Sequence, residues 1–332
     1  MELGAVAQGI QAEIRYKFGH VLNGFSLRIP DTFVEWLRGL DGVEYIEEAG
    51  LVRPQANQYN PPSWGQDRVN QENLPLDNLY SYDYSGSGVN VYVIDTGIRY
   101  SHNDFGGRAY SFWDFQNGNG DDCNGHGTHC SGTIGGASYG LAKGVRLYNA
   151  RVFPCSGGSS TDTIIAAMDY VRVYGSTPAV VSMSLGGGAS YAEDQAVKNL
   201  YNAGFVVSVA AGNDNANACN YSPARAPEAI TVGATDSRDV RSSFSNYGSC
   251  LDLFAPGSSI TSAWYRSDSD SATISGTSMA CPHVSGACAK LLEFAPGYTP
   301  AQIASVLIDN SAYNKLSNIG SGSPNILLYQ WY

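Results

Sequence analysis

The sequence predicts an α/β protein with a doubly wound, mostly parallel sheet and helices on both faces. From residue 88 onward, apolar strand patterns alternate with amphipathic helix patterns, an order typical of parallel sheets that are covered on both sides. A length of 332 residues with 43% hydrophobic residues is enough for a large core. Residues 1–56 follow a different pattern and predict a small α+β unit with a linker, so we place the main domain at residues 57–332.

The N-terminal unit is predicted to contain a hairpin, one helix and a closing strand. Short apolar runs flank Asn23-Gly24 within residues 13–29, which predicts the hairpin. Apolar residues at helical spacing follow Pro30-Asp31 and stop at Gly42, which predicts the helix. Residues 43–47 are predicted to form the closing strand. The segment 53–65 is rich in Pro, Asn, Gln and Ser and is predicted to be a linker.

The main domain is predicted to alternate strands and helices in chain order. Strands are expected at 89–94, 145–152, 179–185 and 205–211, and helices at 161–174, 191–202 and 299–311, with one more helix that starts near residue 277. Asp95 follows the first of these strands and Asn213 follows the fourth. Ligands of parallel sheets gather at the carboxyl ends of the strands, so both residues are candidates for a functional site.

Composition and charge narrow the function classes. The formal net charge is −11, which argues against a nucleic-acid or anionic-membrane partner. No apolar run approaches the roughly 20 residues that a membrane span needs. The first twelve residues lack the basic start and apolar segment of a signal peptide. Seven cysteines leave at least one unpaired unless a partner chain is involved.

A serine at the predicted start of a helix is one candidate for chemistry. Ser278 follows the small residues Ser275-Gly276-Thr277 and precedes an apolar helical pattern. The unpaired N–H groups of a helix N-terminus can hold an oxyanion beside a serine nucleophile. Pro282 fits this helix if it lies in the first turns. The alternative is a small-residue turn that leads into a core helix.

The segment 123–130 is the densest cluster of reactive side chains. It contains two cysteines and two histidines, namely Cys123, His126, His129 and Cys130. These residue types are zinc ligands, although the spacing is tighter than in the usual structural zinc sites. A histidine there can instead serve as a general base, since its ordinary pKa lies near neutrality. Both histidines can also be buried structural residues. Gly125 and Gly127 indicate a close backbone approach.

Asp95 and Asn213 each have more than one interpretation. Asp95-Thr96-Gly97 is typical of aspartic proteases, but that mechanism needs two carboxylates and therefore a dimer of this chain. The same carboxylate can instead orient an imidazole, or it can belong to an ordinary turn. Asn213 is a turn residue by itself. Beside a serine and a histidine, its amide is a candidate donor to an oxyanion.

Taken together, the motifs resemble those of a known family. Asp95, His126 and Ser278 occur in the order Asp, His, Ser that subtilisins have. Asp-Thr-Gly, His-Gly-Thr-His, Ala-Ala-Gly-Asn and Gly-Thr-Ser-Met-Ala-Cys-Pro-His resemble the subtilisin-like serine proteases. The resemblance runs from about residue 64 to the C-terminus and is strongest to the aqualysin-like secreted proteases of the proteinase K branch. Segments 213–225 and 243–250 carry the closest similarity.

The resemblance implies a role for each motif. Ser278 would attack the peptide carbonyl, His126 would act as the base, and Asp95 would orient the imidazole. Asn213 and the backbone N–H of Ser278 would bind the oxyanion. The implied function is a secreted serine endopeptidase with broad specificity and an apolar P1 preference. The implied substrate-backbone segments are Ser156, Gly157, Gly158, Ser184, Leu185 and Gly186. The implied lining of a roomy, uncharged P1 pocket is Ala210, Ala211 and Gly212.

The resemblance also implies disulfides, which are typical of an oxidising compartment. The implied pairs are Cys123 with Cys155 and Cys219 with Cys250. Cys281 and Cys288 are separated by seven positions on one predicted helix, about 10 Å in axial rise. A disulfide requires Cα atoms within about 7 Å, so these two should not be bonded. Cys130 is expected to be a free, buried thiol.

Calcium is the implied cofactor, in a structural role. The stronger site would use the Asp252 carboxylate with the carbonyls of Pro227 and Ala229, a mixed oxygen set that suits this ion. A second site would use four side chains in which asparagine replaces a more usual carboxylate at position 70, and this removes one ligand charge. The residues of that second site are Asp67, Asn70, Gln71 and Asp77.

Residues 1–56 resemble the later part of the family's inhibitory propeptide. The resemblance therefore implies a zymogen, with the propeptide as intramolecular inhibitor and with protein and peptide substrates. We expect the first strand and helix of that module, and any signal peptide, to be missing from this sequence. The expected location is extracellular, with a vacuole or lysosome as the alternative, and the expected state is a monomer. Two competing functions are a non-catalytic binding protein held in its propeptide-bound state and a zinc protein that uses the 123–130 cluster.

Overall fold

The computed structural model describes residues 12–20, 22–48 and 56–330. The chain divides into two units, Met1–Pro54 and Gln55–Tyr332. The division lies two residues before the boundary expected between residues 56 and 57.

The first unit contains a hairpin and a short helix. Strands β1 (Glu13–Phe18) and β2 (Gly24–Arg28) pair antiparallel, as the Asn23-Gly24 turn predicts. A 3₁₀ turn (Asp31–Phe33) and helix α1 (Val34–Arg38) follow, so the helix is shorter than expected. The prediction of a strand at residues 43–47 is wrong, because residues 43–48 have no regular structure. A strand needs a partner for its backbone groups, and within the described residues this sheet contains only β1 and β2.

The second unit is built on a nine-stranded sheet. Its strands in chain order are β5 (Asn90–Asp95), β6 (Ala109–Asp114), β7 (Arg146–Arg151), β8 (Ala179–Met183), β10 (Val206–Ala210), β12 (Ile230–Thr235), β13 (Leu253–Pro256), β16 (Ala312–Tyr313) and β17 (Ile326–Leu327). Their order across the sheet is β16-β17-β13-β12-β10-β8-β5-β7-β6. All neighbours run parallel except β16 and β17. The prediction of a mostly parallel sheet is confirmed.

Three two-stranded pairs complete the strands of this unit. They are β3 (Ala56–Tyr59) with β4 (Leu79–Tyr82), β9 (Gly187–Gly188) with β11 (Tyr221–Ser222), and β14 (Ile260–Ala263) with β15 (Ser271–Ile274). The linker predicted for residues 53–65 is therefore wrong in part, because β3 lies inside it. The polar residues of β3 look like a linker in isolation. They form a strand because β4, more than twenty residues later, supplies the backbone partners.

The described residues of the second unit form six helices. They are α2 (Trp64–Val69), α3 (His126–Gly135), α4 (Thr161–Tyr174), α5 (Tyr191–Asn202), α6 (Thr277–Phe294) and α7 (Pro300–Asp309), and 3₁₀ turns occur at Asn103–Phe105 and Ala218–Asn220. Helices α4 and α5 begin and end at the predicted residues. Thr299 caps α7 with a capping box, and Pro300 is in its first turn. Within the described ranges, no helix combines the length and apolar character needed to cross a bilayer.

Helices cover both faces of the sheet, so its central strands are buried on both sides. Along β5, Val91 and Val93 face the core beneath α3, α6 and α7, whereas Tyr92 and Ile94 face the core beneath α4 and α5. This alternation follows from the two-residue period of a strand. Helix α6 crosses β8, β10, β12 and β13 and is almost fully buried. The doubly wound arrangement expected from the sequence is confirmed.

A buried ion pair ties α2 to a distant loop of the same unit. The Arg68 side chain is 0% exposed, and its Nε and Nη2 atoms donate to the two carboxylate oxygens of Asp239 at 2.7 and 2.9 Å. Asp239 has φ of +60°, a conformation that asparagine also tolerates. An asparagine at this position would therefore keep the backbone and remove the charge.

We predict that Asp239→Asn lowers the free energy of unfolding by about 3–5 kcal/mol, because it leaves the buried guanidinium without its counter-charge. Guanidinium chloride unfolding followed by circular dichroism measures the change. The matched control is Asp236→Asn, which weakens a pair with the exposed Arg238 and should cost about 0–1 kcal/mol. Equal losses in the two variants would contradict the prediction.

Candidate active site

The first site residue lies where β5 ends. Asp95 is the last residue of the strand, and its carboxylate accepts a hydrogen bond from the backbone N–H of Thr96 at 2.7 Å. The chain then turns through Gly97, which has φ of +122°. A Cβ atom on Gly127 would collide with the Gly97 carbonyl, so glycine at 127 allows the start of α3 to approach this turn closely. The close approach predicted for Gly127 is confirmed.

The imidazole of His126 contacts the Asp95 carboxylate. His126 is the first residue of α3, and its Nδ1 atom lies 2.8 and 3.0 Å from the two carboxylate oxygens. The Asp95 side chain is 1% exposed and the His126 side chain is 29% exposed. Burial lowers the pKa of His126, but the negative charge of Asp95 and the contact with Cys130 outweigh burial. The net pKa of His126 lies well above its ordinary value.

Ser278 is the second residue of α6 and lies beside this pair. Its hydroxyl donates to the Ser184 carbonyl at 3.2 Å, so in this rotamer the proton is not directed at the imidazole. The Cys130 sulfur bridges the two residues, because it lies 3.9 Å from His126 Nδ1 and donates to the Ser278 carbonyl at 3.3 Å. Asp95 and His126 are thus in direct contact. The Cys130 sulfur contacts the imidazole of His126 and the backbone carbonyl of Ser278.

Pro282 determines the environment of the serine. It is an internal residue of α6 and has no N–H to donate to the carbonyl of Ser278, four residues earlier. The Ser184 hydroxyl donates to that carbonyl at 2.9 Å, in addition to Cys130. The carbonyl is therefore satisfied from outside the helix. The expectation that Pro282 lies in the first turns, where no N–H is needed, is wrong, because it is the sixth residue of α6 and an N–H at this position would ordinarily donate to the Ser278 carbonyl.

Asn213 lies next to the start of α6. Its side-chain oxygen accepts from the N–H of Thr277 at 2.8 Å and from the Thr277 hydroxyl at 3.0 Å. The amide oxygen is thereby fixed, and within the described residues the Nδ2 group and the backbone N–H of Ser278 have no acceptor. Both groups border the same cavity. Such a pair of donors can bind an anionic oxygen.

A buried side chain that the sequence analysis did not single out holds this loop in place. Asn246 is 0% exposed; its side-chain oxygen accepts from the N–H groups of Asp214 and Ala216, and its Nδ2 donates to the Ala211 carbonyl. Gly212 has φ of +102°, and a Cβ atom there would collide with this amide. No local motif marks Asn246 because these partners lie thirty or more positions earlier in the chain.

A cavity of about 350 Å³ opens beside Ser278. The residues expected at the P1 pocket contribute to its wall, together with glycines after β8. Asp214 and Tyr221 also line the cavity. Desolvation raises the pKa of Tyr221, and its interaction with Asp214 adds to this effect. The lining residues are Leu185, Gly186, Gly187, Gly188, Ala210, Ala211, Gly212, Asn213, Asp214, Tyr221, Ala224, Thr277 and Ser278.

The two expected substrate segments have different environments. Ser184 contacts Ser278 as described, and Leu185 and Gly186 line the cavity. Ser156, Gly157 and Gly158 are exposed and are not among the cavity residues. Within the described part of the chain, residues 156–158 make no backbone hydrogen bond to one another or to a neighbour. Their N–H and C=O groups are therefore available to an extended chain.

The two expected disulfides are confirmed, as Cys123–Cys155 and Cys219–Cys250. The first disulfide joins Cys123, in the segment before α3, to Cys155, which directly precedes the exposed residues 156–158. Cys130, Cys281 and Cys288 are free and buried, as expected. The zinc interpretation of residues 123–130 is wrong, because Cys123 is disulfide-bonded and His129 Nε2 is hydrogen-bonded to the carbonyls of Ile260 and Ala272. His129 is a buried structural residue.

The aspartic-protease interpretation of Asp95 is also wrong. The partner of this carboxylate is the imidazole of His126, whereas that mechanism requires a second carboxylate. Asp95, His126 and Cys130 do each place one ligand atom within 4.8 Å of the others. Hydrogen bonds among these three residues account for the cluster.

The residues of the stronger expected calcium site fit an oxygen-ligated cation. Burial raises the pKa of Asp252 to about 6, and its carboxylate accepts one backbone hydrogen bond, from Thr231 at 2.7 Å. Within the described residues, the carbonyls of Pro227 and Ala229 accept no backbone hydrogen bond. A desolvated carboxylate and unpaired carbonyls are the donor set that calcium prefers.

The residues of the second expected calcium site fit a bound cation less well. Burial is the main cause of a raised pKa at Asp67, and repulsion from the nearby Asp77 carboxylate adds to it, so these two negative groups face each other. The Asn70 amide, however, is bonded to the backbone of Leu79 and Ser81, and the Gln71 oxygen accepts from the N–H of Asp77. Asn70 therefore stabilises β4 in this structure.

Comparison with known proteins identifies the relatives of this chain. The model of the subtilase family matches residues 86–323. An extracellular serine proteinase of Thermus sp. strain Rt41A is 54% identical over 310 residues, which are 93% of this chain and 75% of that protein. Alkaline serine exoprotease A of Vibrio alginolyticus is 48% identical over 325 residues, 96% of this chain and 60% of that protein. Proteinase R of Parengyodontium album is 42% identical over 99% of this chain and 85% of its own length.

A solved structure agrees with these matches. The crystal structure of a cold-adapted subtilisin-like serine proteinase superposes with a TM-score of 0.78 at 52% identity, and the match covers 80% of this chain and 97% of the other. Fold and comparisons together define a serine proteinase with a subtilisin-like fold that acts on proteins and peptides. The chain belongs to the subtilase family.

The raised pKa of His126 predicts a pH dependence. If His126 is the base, it must be neutral, so kcat/KM falls as the pH drops through this raised pKa. Asp95→Asn removes the charge that raises the pKa, so the acid limb should move to lower pH while kcat falls about 10⁴-fold. Initial rates on a peptide substrate across the pH range measure both effects. An acid limb that stays in place in the variant would contradict the assignment.

Proposed function

We propose that this chain is a secreted serine endopeptidase, made as a zymogen, that cleaves peptide bonds with Asp95, His126 and Ser278. The observation that carries the proposal is the contact between the His126 imidazole and the buried Asp95 carboxylate beside a serine at a helix N-terminus. The Thermus relative is named an extracellular serine proteinase, the Vibrio relative is named a serine exoprotease, and the solved structure is that of a serine proteinase.

In the proposed mechanism, Ser278 rotates about its Cα–Cβ bond away from the Ser184 carbonyl and presents its hydroxyl to Nε2 of His126. The imidazole takes the proton as the oxygen attacks the peptide carbonyl, and it later returns the proton to the leaving amine. Asp95 accepts the hydrogen bond from Nδ1, which fixes the tautomer and stabilises the imidazolium. Water then repeats the sequence on the acyl-enzyme and releases the acid.

The oxyanion of the tetrahedral intermediate is bound by the Nδ2 group of Asn213 and the backbone N–H of Ser278. Thr277 supports this role because it holds the other end of the Asn213 amide. Donors that are already oriented lose no reorganisation energy when charge develops. The N-terminus of α6 adds its partial positive charge at the same position.

The substrate is held as an extended strand. Ser184, Leu185 and Gly186 on one side and Ser156, Gly157 and Gly158 on the other pair with its backbone, so affinity depends little on side chains. The P1 side chain enters the cavity, where Ala210, Ala211 and Gly212 favour apolar groups. Asp214 lies at the wall of the same cavity and adds a charged residue to the polar residues Asn213, Tyr221 and Thr277.

Residues 1–56 are proposed to be part of an inhibitory propeptide, and residues 57–332 the catalytic domain. The match to Proteinase R covers 99% of this chain, so relatives share sequence with the first unit as well. The family precedent and the two disulfides support secretion as a zymogen into an oxidising environment. The enzyme is proposed to act as a monomer.

Labelling of the nucleophile tests the proposal. The full chain, incubated until its activity is constant, should react with a serine-directed fluorophosphonate at Ser278, and Ser278→Ala should abolish both labelling and peptide cleavage. Asn213→Ala should keep labelling but lower kcat about 10²–10³-fold, because one oxyanion donor is lost. Mass spectrometry locates the label. An unlabelled wild-type protein, or a label on another residue, would reject the function.

Calcium is proposed as a structural ion bound by Asp252 with the carbonyls of Pro227 and Ala229. The ion would neutralise a buried carboxylate, and the set Asp67, Asn70, Gln71 and Asp77 is proposed as a second, weaker site. We predict that calcium at 100 times its dissociation constant stabilises the fold by about 2.7 kcal/mol. Thermal unfolding with and without a chelator measures this, with activity blocked by Ser278→Ala.

Two conservative changes of a carboxylate test whether calcium binds at Asp252. Asp252→Asn should remove most of the stabilisation by calcium. Asp169→Asn, on the exposed face of α4, should leave it unchanged. Stabilisation by calcium that survives in Asp252→Asn would assign the ion to another site.

A further inference from the structure

A buried carboxylate outside the proposed triad collects hydrogen bonds from both segments that carry the Asp95–His126 pair. Asp122 is 7% exposed and accepts five hydrogen bonds. One carboxylate oxygen accepts from the Thr96 hydroxyl at 3.0 Å and from the N–H groups of Asn124 and Gly125 at 2.9 Å each. The other accepts from the N–H and hydroxyl of Thr128 at 3.0 and 2.6 Å.

These partners surround the two reacting side chains. Thr96 directly follows Asp95, and Gly125 and Thr128 lie on either side of His126 at the start of α3. The Thr96 hydroxyl also accepts from the N–H of Gly127 at 2.9 Å. One carboxylate therefore holds the end of β5 and the first turn of α3 in a fixed relation. The distance between the Asp95 carboxylate and His126 Nδ1 depends on that relation.

We propose that Asp122 is a positioning residue that holds His126 against Asp95. The proposal rests on the proposed serine-protease function of the same site. Asp122 does not touch the substrate or the reacting atoms. It acts by satisfying the N–H groups before and inside the first turn of α3 and by fixing Thr96.

An asparagine cannot replace this carboxylate, because all five partners donate. In either orientation, the NH₂ group of asparagine would face at least one backbone N–H: that of Asn124 and Gly125 on one side, or that of Thr128 on the other. Hydroxyl groups can rotate, but backbone N–H groups cannot reverse their polarity. The helix start would have to move, and a shift of about 1 Å in a catalytic group can cost about 10²-fold in rate.

The test compares Asp122→Asn with wild type by steady-state kinetics on a peptide substrate, using the full chain incubated until its activity is constant. We expect kcat to fall about 10- to 100-fold with KM changed less than about twofold, because substrate contacts are untouched. We also expect the acid limb of kcat/KM to move to lower pH, since His126 would lose part of its contact with Asp95. The low-field proton resonance of His126 Nδ1 should shift or disappear.

A matched control separates positioning from general stability. Asp239 is another buried carboxylate, 8% exposed, and its two oxygens accept from Arg68 of α2. Within the described residues, neither Asp239 nor Arg68 has a hydrogen bond to Asp95, Asp122 or His126. Asp239→Asn should lower the stability but leave kcat per folded molecule, the acid limb and the low-field resonance unchanged.

A second pair of variants applies if Asp122→Asn does not fold. Thr96→Val removes the hydroxyl that links Asp122 to Gly127, and Thr96→Ser keeps it. Loss of kcat in the valine variant with recovery in the serine variant would support the proposal. Normal kcat and a normal acid limb in folded Asp122→Asn, or in Thr96→Val, would overturn it. A wild-type chain that fails to react with the fluorophosphonate would instead reject the underlying function.

Discussion

The site depends on how two helix N-termini at one edge of the sheet satisfy their first N–H groups. Helices cannot satisfy these groups internally, so side chains, water or a ligand must accept from them. At the start of α3 the acceptors are the Asn124 side chain for His126, the Thr96 hydroxyl for Gly127 and the Asp122 carboxylate for Thr128. At the start of α6 the Asn213 side chain accepts from Thr277, and in the described part of the chain the next N–H, that of Ser278, has no acceptor. One helix start is thus fully satisfied and carries the imidazole, while the other keeps a free donor beside the serine.

Much of the fold could be predicted because its signals are local. Helices α4 and α5 follow from apolar spacing, and the order Asp95, His126, Ser278 is visible in the sequence. The strand expected at 43–47 was wrong and the linker expected at 53–65 was wrong in part, because a distant partner decides whether a segment pairs as a strand. Asn246 escaped prediction for a related reason, since its side-chain partners lie thirty or more positions earlier in the chain. Asp122 accepts mainly from residues two to six positions later, as an ordinary turn residue would, and only the bond from Thr96 links it to Asp95 after folding.

The three free cysteines follow from the same packing constraint. Cys130, Cys281 and Cys288 are at most 1% exposed, and burial raises the pKa of each thiol. The reactive thiolate is therefore suppressed, and an oxidising environment is compatible with free thiols that oxidants do not reach. Each cysteine occupies a position where α3 or α6 packs closely on its neighbours, which favours a small apolar side chain.

At position 130 the thiol does more than fill space. Pro282 leaves the Ser278 carbonyl without its helical donor, and a weak S–H donor joins the Ser184 hydroxyl in satisfying it. An alanine at 130 would fit the space but would leave that carbonyl with one donor. Ser278, the proposed nucleophile, thus has both backbone polar groups committed outside its own helix. The carbonyl accepts from Ser184 and Cys130, and in the proposed mechanism the N–H donates to the oxyanion. Neighbouring segments therefore hold the serine at the edge of the sheet. A regular helix, in which the Ser278 carbonyl bonds within the helix, would not provide these contacts.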